Sequence, residues 1–102
     1  MPKSKKLLDW TTNALDELER GMAFYAEQNP VAARRMQNEI NLASLSLIAA
    51  IAPEKGRPGR VPRTRELVLG SRTPYILVFR EVVNEVSIIQ ILRVMHTARK
   101  YP

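Results

Sequence analysis

Gly56–Leu69, GRPGRVPRTRELVL, is the stretch whose reading decides how the chain folds. Arg57, Arg60, Arg63 and Arg65 fall close together in it, and its glycines and prolines break any regular helix. Thr64–Leu69 then runs into an apolar, strand-like segment. The stretch therefore reads as a rigid basic loop that feeds the first strand of a sheet.

Towards the C-terminus, Gly70, Ser71, Thr73 and Pro74 mark a turn, and Tyr75–Val83 is an aromatic and β-branched strand. After Asn84-Glu85, Val86–Met95 is nearly continuous valine, isoleucine and leucine. Gaps this short predict a three-stranded antiparallel meander. The last strand is apolar on both faces and belongs inside the sheet, where its Gln90 and Arg93 require hydrogen-bond partners.

Towards the N-terminus, Asn29-Pro30 opens a helix: asparagine caps, and proline at the first helical position forfeits no bond. Ala33, Met36, Ile40, Ala43, Leu47 and Ile51 form its core stripe, which stops at Pro53. At 100° per residue Leu42, Leu45 and Ala49 fall on the opposite side, a second apolar face that requires cover from the chain itself or from a partner. A preceding helix starts at the N-cap Thr11 and ends near Gln28, with Leu15, Leu18, Met22 and Tyr25 in one stripe. Gly21 within it implies either close packing at that point or tolerance of a poor helix former. A short strand over Lys5–Trp10 precedes the pair. The expected architecture is a single α+β domain, 1–102, with an N-terminal helix hairpin on one face of a small antiparallel sheet made from the short N-terminal strand and the C-terminal meander.

Charge is distributed unevenly. Residues 1–52 hold six Lys/Arg and six acids, whereas residues 53–102 hold ten against four, so the whole excess of +6 lies in the second half. Such asymmetry predicts an anionic partner, a nucleic acid or an acidic protein. The longest apolar stretch, Leu45–Ala52, is too short to span a bilayer, and no secretory leader is recognisable. The reading is a cytoplasmic protein without membrane association. With no cysteine and one histidine, neither a structural zinc site nor thiolate chemistry is expected, and no cofactor is implied.

No phosphate-binding glycine loop, metal-ligand cluster or Ser/His/Asp arrangement is present. The chemistry that can be assembled is metal-independent RNA cleavage, with His96 as the group that titrates near neutrality and Arg65, Arg80 and Arg99 as phosphate-neutralising cations at one end of the sheet. Exposed aromatics for base stacking are few, because Trp10, Phe24, Tyr25, Tyr75 and Phe79 fall mostly on apolar stripes.

The segments WTTNALDELERGMAFYAEQNPVAARR, GRPGRVPRTRELVL, TPYILVFR and ILRVMHTARKYP resemble the RelE/ParE superfamily of toxins from bacterial type II toxin–antitoxin modules, and within it the ParE branch. The resemblance implies a small sheet with a helix hairpin and a cognate acidic antitoxin that forms a hetero-oligomer with the toxin. It places that antitoxin at the basic second half, including Arg57, Arg60 and Arg65, and at the spare Leu42, Leu45 and Ala49 face. The two branches of the superfamily differ in target. ParE-like toxins poison DNA gyrase and serve plasmid stabilisation; RelE-like toxins cut messenger RNA on the ribosome. RelE-like nucleases carry an arginine at the position matching Ile76, which favours the ParE reading, and His96 occurs in both branches. The expectation is thus a gyrase inhibitor, with a ribosome-dependent endoribonuclease using Arg65, Arg80, His96 and Arg99 as the alternative.

Overall fold

Thr11 joins strand to helix and helix to sheet. Its hydroxyl accepts from the Ala14 N–H at 3.1 Å, capping the first turn, and donates to the Leu92 carbonyl at 3.2 Å, while its own N–H donates to the Ile91 carbonyl. The computed structural model describes residues 6–49, 55–70 and 72–98. Chain order is β1 (Lys6–Trp10), α1 (Thr12–Gln28), α2 (Pro30–Ala49), β2 (Arg57–Pro58), β3 (Arg65–Val68), β4 (Tyr75–Val83) and β5 (Ser87–His96). Asn29 serves both helices: its N–H closes α1 on the Tyr25 carbonyl, and its Oδ1 accepts from the Ala32 N–H of α2. One residue thus fixes a tight helix hairpin, as the Asn29-Pro30 pair predicts.

The five strands form one sheet in the order β1-β5-β4-β3-β2. Strands β2 to β5 are antiparallel, and β5 sits between β1 and β4, inside the sheet as expected. Two features depart from the sequence reading. The sheet is mixed, because β1 pairs with β5 in parallel. The basic stretch, expected as loop up to Thr64, already contributes a strand: Arg57 and Pro58 pair with Glu66 and Arg65. Proline is admissible there because β2 is an edge strand and has no outer neighbour to receive the missing N–H.

Both helices pack on one face of the sheet. Leu18 and Met22 of α1 and Met36, Ile40 and Leu47 of α2 join Leu77, Phe79, Ile89, Ile91 and Val94 in the main core. Each such side chain contributes about 1.5–3 kcal/mol by leaving water. Ser44, with its hydroxyl on the Asn41 carbonyl, is buried in this stripe where Ala43 was expected, and Ala43 is only partly covered. Leu15 is half exposed, so the α1 stripe is narrower than its spacing suggests. Ile51 and the stop at Pro53 lie outside the described residues. The polar residues of β5 find the partners they require: Gln90 bridges Arg80 and Asp9, and Arg93 pairs with Glu17.

Glu66 organises the basic stretch. It is 1% exposed, and its Oε1 accepts from Arg57 Nε and Nη2 at 3.2 and 3.0 Å while Oε2 accepts from the Arg60 backbone N–H at 3.1 Å. Arg60 Nε lies 3.6 Å from the same oxygen. Gly56, at φ 82°, lets the chain enter this hairpin, and a Cβ there would run into the Glu66 carbonyl. Removing one arginine side chain leaves the carboxylate a charged partner; removing both leaves the buried charge with the Arg60 backbone N–H but no cation. Urea denaturation should therefore show Arg57→Ala and Arg60→Ala each costing about 1 kcal/mol, the double variant about 3–5 kcal/mol, and Glu66→Leu recovering part of that loss in the double background. Strict additivity of the two arginine variants would show that Glu66 does not hold the hairpin.

Candidate functional site

Two concave regions flank the helix hairpin. The first is a groove of about 530 Å³ between α2 and β3, lined by Leu42, Ala43 and Ser46 on one side and Leu67, Val68 and Leu69 on the other, with Glu39, Lys55 and Arg72 at its rim. Its width is set by a polar tie from α2 to the β3–β4 turn. Thr73, itself buried, donates its hydroxyl to Glu39, while Arg35 donates to Glu39 at 3.1 Å and to the Arg72 carbonyl at 3.0 Å. The Glu39 carboxyl is held below its ordinary range first by the Thr73 hydrogen bond, which burial opposes, and further by Arg35 and Arg72.

Leu42 is 66% exposed and Leu45 50% exposed, and Ala49 is also exposed, so the chain's own sheet does not cover the spare face of α2. The structure brings Leu42 together with β3 in the groove; Leu45 and Ala49 lie beside it on the solvent side of α2. The arginines named with them are differently engaged. Arg57 and Arg60 bind Glu66, and Arg65 donates to the Lys55 and Gly56 carbonyls at 3.1 and 2.8 Å. Their first role is to brace the hairpin, although a carbonyl leaves the Arg65 charge uncompensated.

The second region is a cleft of about 520 Å³ between one side of α1, the start of β4 at Tyr75 and the end of β5. It exists because β1 stops at Trp10, opposite Ile91, and leaves the rest of β5 without a neighbour on that side. Glu17 of α1 fills the first vacated ladder position: its carboxylate accepts the Val94 N–H at 2.9 Å and the Arg93 guanidinium at 2.7 Å. Deeper in, His96 Nε2 lies 2.9 Å from the Tyr25 hydroxyl, and His96 Nδ1 accepts the Ala98 N–H at 3.1 Å. An N–H can only donate, so the neutral ring carries its proton on Nε2 and gives it to the Tyr25 oxygen. Tyr75 stands edge-on to both rings, and Gly21 makes room for it, since a Cβ at Gly21 would sit 2.5 Å from the Tyr75 hydroxyl. Close packing, one of the two readings of Gly21, is the one found.

The RNA-cleaving set does not converge among the described residues. His96 pairs across the ladder with Tyr75, whereas Arg80 pairs with Gln90 and Arg65 with Phe79. At about 3.3 Å per strand residue, the Arg80 position is roughly 20 Å from His96. The expectation that Arg65 and Arg80 reach the histidine end of the sheet is thus overturned by the register. Arg99 lies outside the described residues. Sequence reasoning missed Tyr25 as the partner of His96, because the two are 71 positions apart and Tyr25 sits on an apolar stripe. No group of three or more His, Cys, Asp or Glu side chains among the described residues is placed to hold a metal ion.

Comparison with known proteins gives these two regions a context. A family model described as the ParE toxin of the type II toxin-antitoxin system, parDE, matches residues 8–101. The Y4kP protein of Sinorhizobium fredii (strain NBRC 101917 / NGR234), whose name places it among toxins, is 39% identical over 99 residues, 97% of this chain and 96% of that one. Among solved structures, a chain of the chromosomal ParDE TA system from P. aeruginosa superposes with a TM-score of 0.77 at 30% identity, covering 90% of this chain and 96% of that one. A match that runs from β1 to the C-terminal tail takes in the helix hairpin, the basic stretch and the sheet together, and on it the chain belongs to the ParE toxin family of type II toxin–antitoxin systems.

Proposed function

We propose that this ParE-family toxin is neutralised by an acidic antitoxin seated in the groove between α2 and β3, and that in the cytoplasm it inhibits DNA gyrase by binding. The observation that carries the first part is the uncovered leucine face of α2 beside a groove rimmed by Lys55 and Arg72. An amphipathic antitoxin segment lays apolar side chains on Leu42, Leu45, Ala49 and Leu67, and its acidic residues meet Lys55, Arg65 and Arg72 with Arg57 and Arg60 behind them. The family and the named ParDE relative support an antitoxin as the occupant.

The gyrase reading rests on the family and on the scattered cations. Catalysed phosphoryl transfer on RNA needs positive charge beside the acid/base group. Among the described residues, Arg65 pairs with Phe79 and Arg80 with Gln90, several ladder positions from the Tyr75–His96 pair. Action by binding requires no such convergence. A supercoiling reaction with purified gyrase should lose activity as the toxin is added and recover it when the antitoxin follows. Ribosome-bound mRNA in a parallel reaction should stay intact. Messenger cleavage that disappears in His96→Ala, with supercoiling untouched, would reverse the assignment.

Antitoxin binding has its own test. Leu45→Glu should weaken the complex about tenfold or more, by placing a charge opposite an apolar contact, and leave the melting temperature of the free toxin unchanged because Leu45 is exposed. Association should slow as salt rises, since exposed charges are screened over about 8 Å at physiological ionic strength. A salt-independent association rate would remove the basic rim from the account.

A further inference from the structure

We propose that the cleft between α1 and the end of β5 is a second binding site, one that takes a nucleobase in its ring-lined interior with the attached phosphate at its mouth. Three observations converge on this chemistry. The walls are rings: Phe24 stands edge-on to Tyr25 with centroids 5.6 Å apart, Tyr25 stacks with His96 at an interplanar angle of 18°, and Tyr75 closes the floor. Phe24 is 59% exposed, an uncommon position for a phenylalanine, and its ring face is available for stacking at the cleft mouth.

The hydrogen-bonding pattern is directional. Because His96 gives its Nε2 proton to the Tyr25 oxygen, the Tyr25 O–H is left to donate. Asn13, on the same side of α1, adds an amide that both donates and accepts. A flat ring with acceptors on its edge matches this set; an aliphatic ligand satisfies none of it. Base stacking on such rings is tolerant of base identity, so weak discrimination among bases follows.

Charge selects what is attached to the ring. The carboxylates that border the cleft are already paired, Glu17 with Arg93 and Asp16 with Arg20. The site therefore does not favour an organic cation. Arg20, whose side chain is 80% exposed, keeps guanidinium N–H donors beyond the one on Asp16 to offer a phosphate. The volume of about 520 Å³ lies in the range of pockets that hold small organic ligands. Gly21 contributes by its lack of a side chain, which lets the Tyr75 ring lie where it forms the floor.

The site is distinct from the α2–β3 groove and independent of the toxin's target. The test uses the whole chain with AMP, adenosine, inorganic phosphate and a single-stranded oligoadenylate, followed by amide spectra and calorimetry. AMP at millimolar concentration should shift the Gly21 and Ala98 amides, adenosine should do so more weakly, and phosphate alone should not. Phe24→Ala, an exposed change that spares the core, should weaken AMP about tenfold or more. Tyr25→Phe should weaken it about fivefold, and Leu42→Ala should leave it unchanged. An oligoadenylate that binds more tightly than AMP in a Phe24-dependent way identifies the source of the base as a strand; equal or weaker binding identifies a free nucleotide. Absence of Phe24-dependent binding by either probe, or the same amide shifts with inorganic phosphate alone, would overturn the proposal.

Discussion

A buried carboxylate shared by two arginines sets the shape of the basic half of this molecule. Glu66 sits in β3, in register with Arg57 on one side and with Val78 on the other. Val78 is buried on the face of the sheet away from the main core, together with Ile76 and Met95. A carboxylate in such surroundings is tolerated only if it is fully hydrogen-bonded. The need is met by folding the preceding segment back, so that Arg57 and the Arg60 N–H both reach it. The hairpin that results gives the sheet its fifth strand and pairs the outer edge of β3, whose Leu67 and Val68 line the groove beside α2.

The same constraint explains why the arginine cluster does not act as one. Arg57 and Arg60 share one negative charge, Arg65 is held by two carbonyls, and Arg63 lies in the left-handed turn at φ 68°. Arg57, Arg60 and Arg65 are held by these bonds, which lowers the entropy lost when an acidic partner binds them. Pre-positioned charge beside an uncovered leucine face suits a protein segment that carries both acids and apolar side chains, and is poorly suited to concentrating charge on a single phosphate at His96.

Much of this fold was legible in the sequence, and the failures have physical causes. Thr11 and Asn29-Pro30 marked the helix starts because capping is local chemistry, and the demand for partners at Gln90 and Arg93 followed from their place in an apolar strand. The direction of β5 relative to β1 was missed through β2. Counting reversals over a helix hairpin and three strands makes the two antiparallel, and the two-residue strand Arg57–Pro58 adds the reversal that makes them parallel. Nothing in Arg-Pro signals a strand, since its pairing is imposed by Glu66. The site divides in the same way: the spare Leu42 and Leu45 face could be read from helical periodicity, whereas the Tyr25–His96 pair depends on the ladder register and the chain had no local mark for it.

We propose the face of α2 left open beside β3 as the place where the toxin is held in check. Leucine methyl spectra of the free chain and of its complex with the cognate acidic antitoxin test it directly, because exposed leucines occur on several surfaces: Leu42 and Leu45 on α2, Leu7 on β1 and Leu15 on α1. The methyl resonances of Leu42, Leu45 and Leu67 should move on complex formation while those of Leu7 and Leu15 stay in place. Movement of Leu7 or Leu15 with Leu42 and Leu45 unchanged would contradict it.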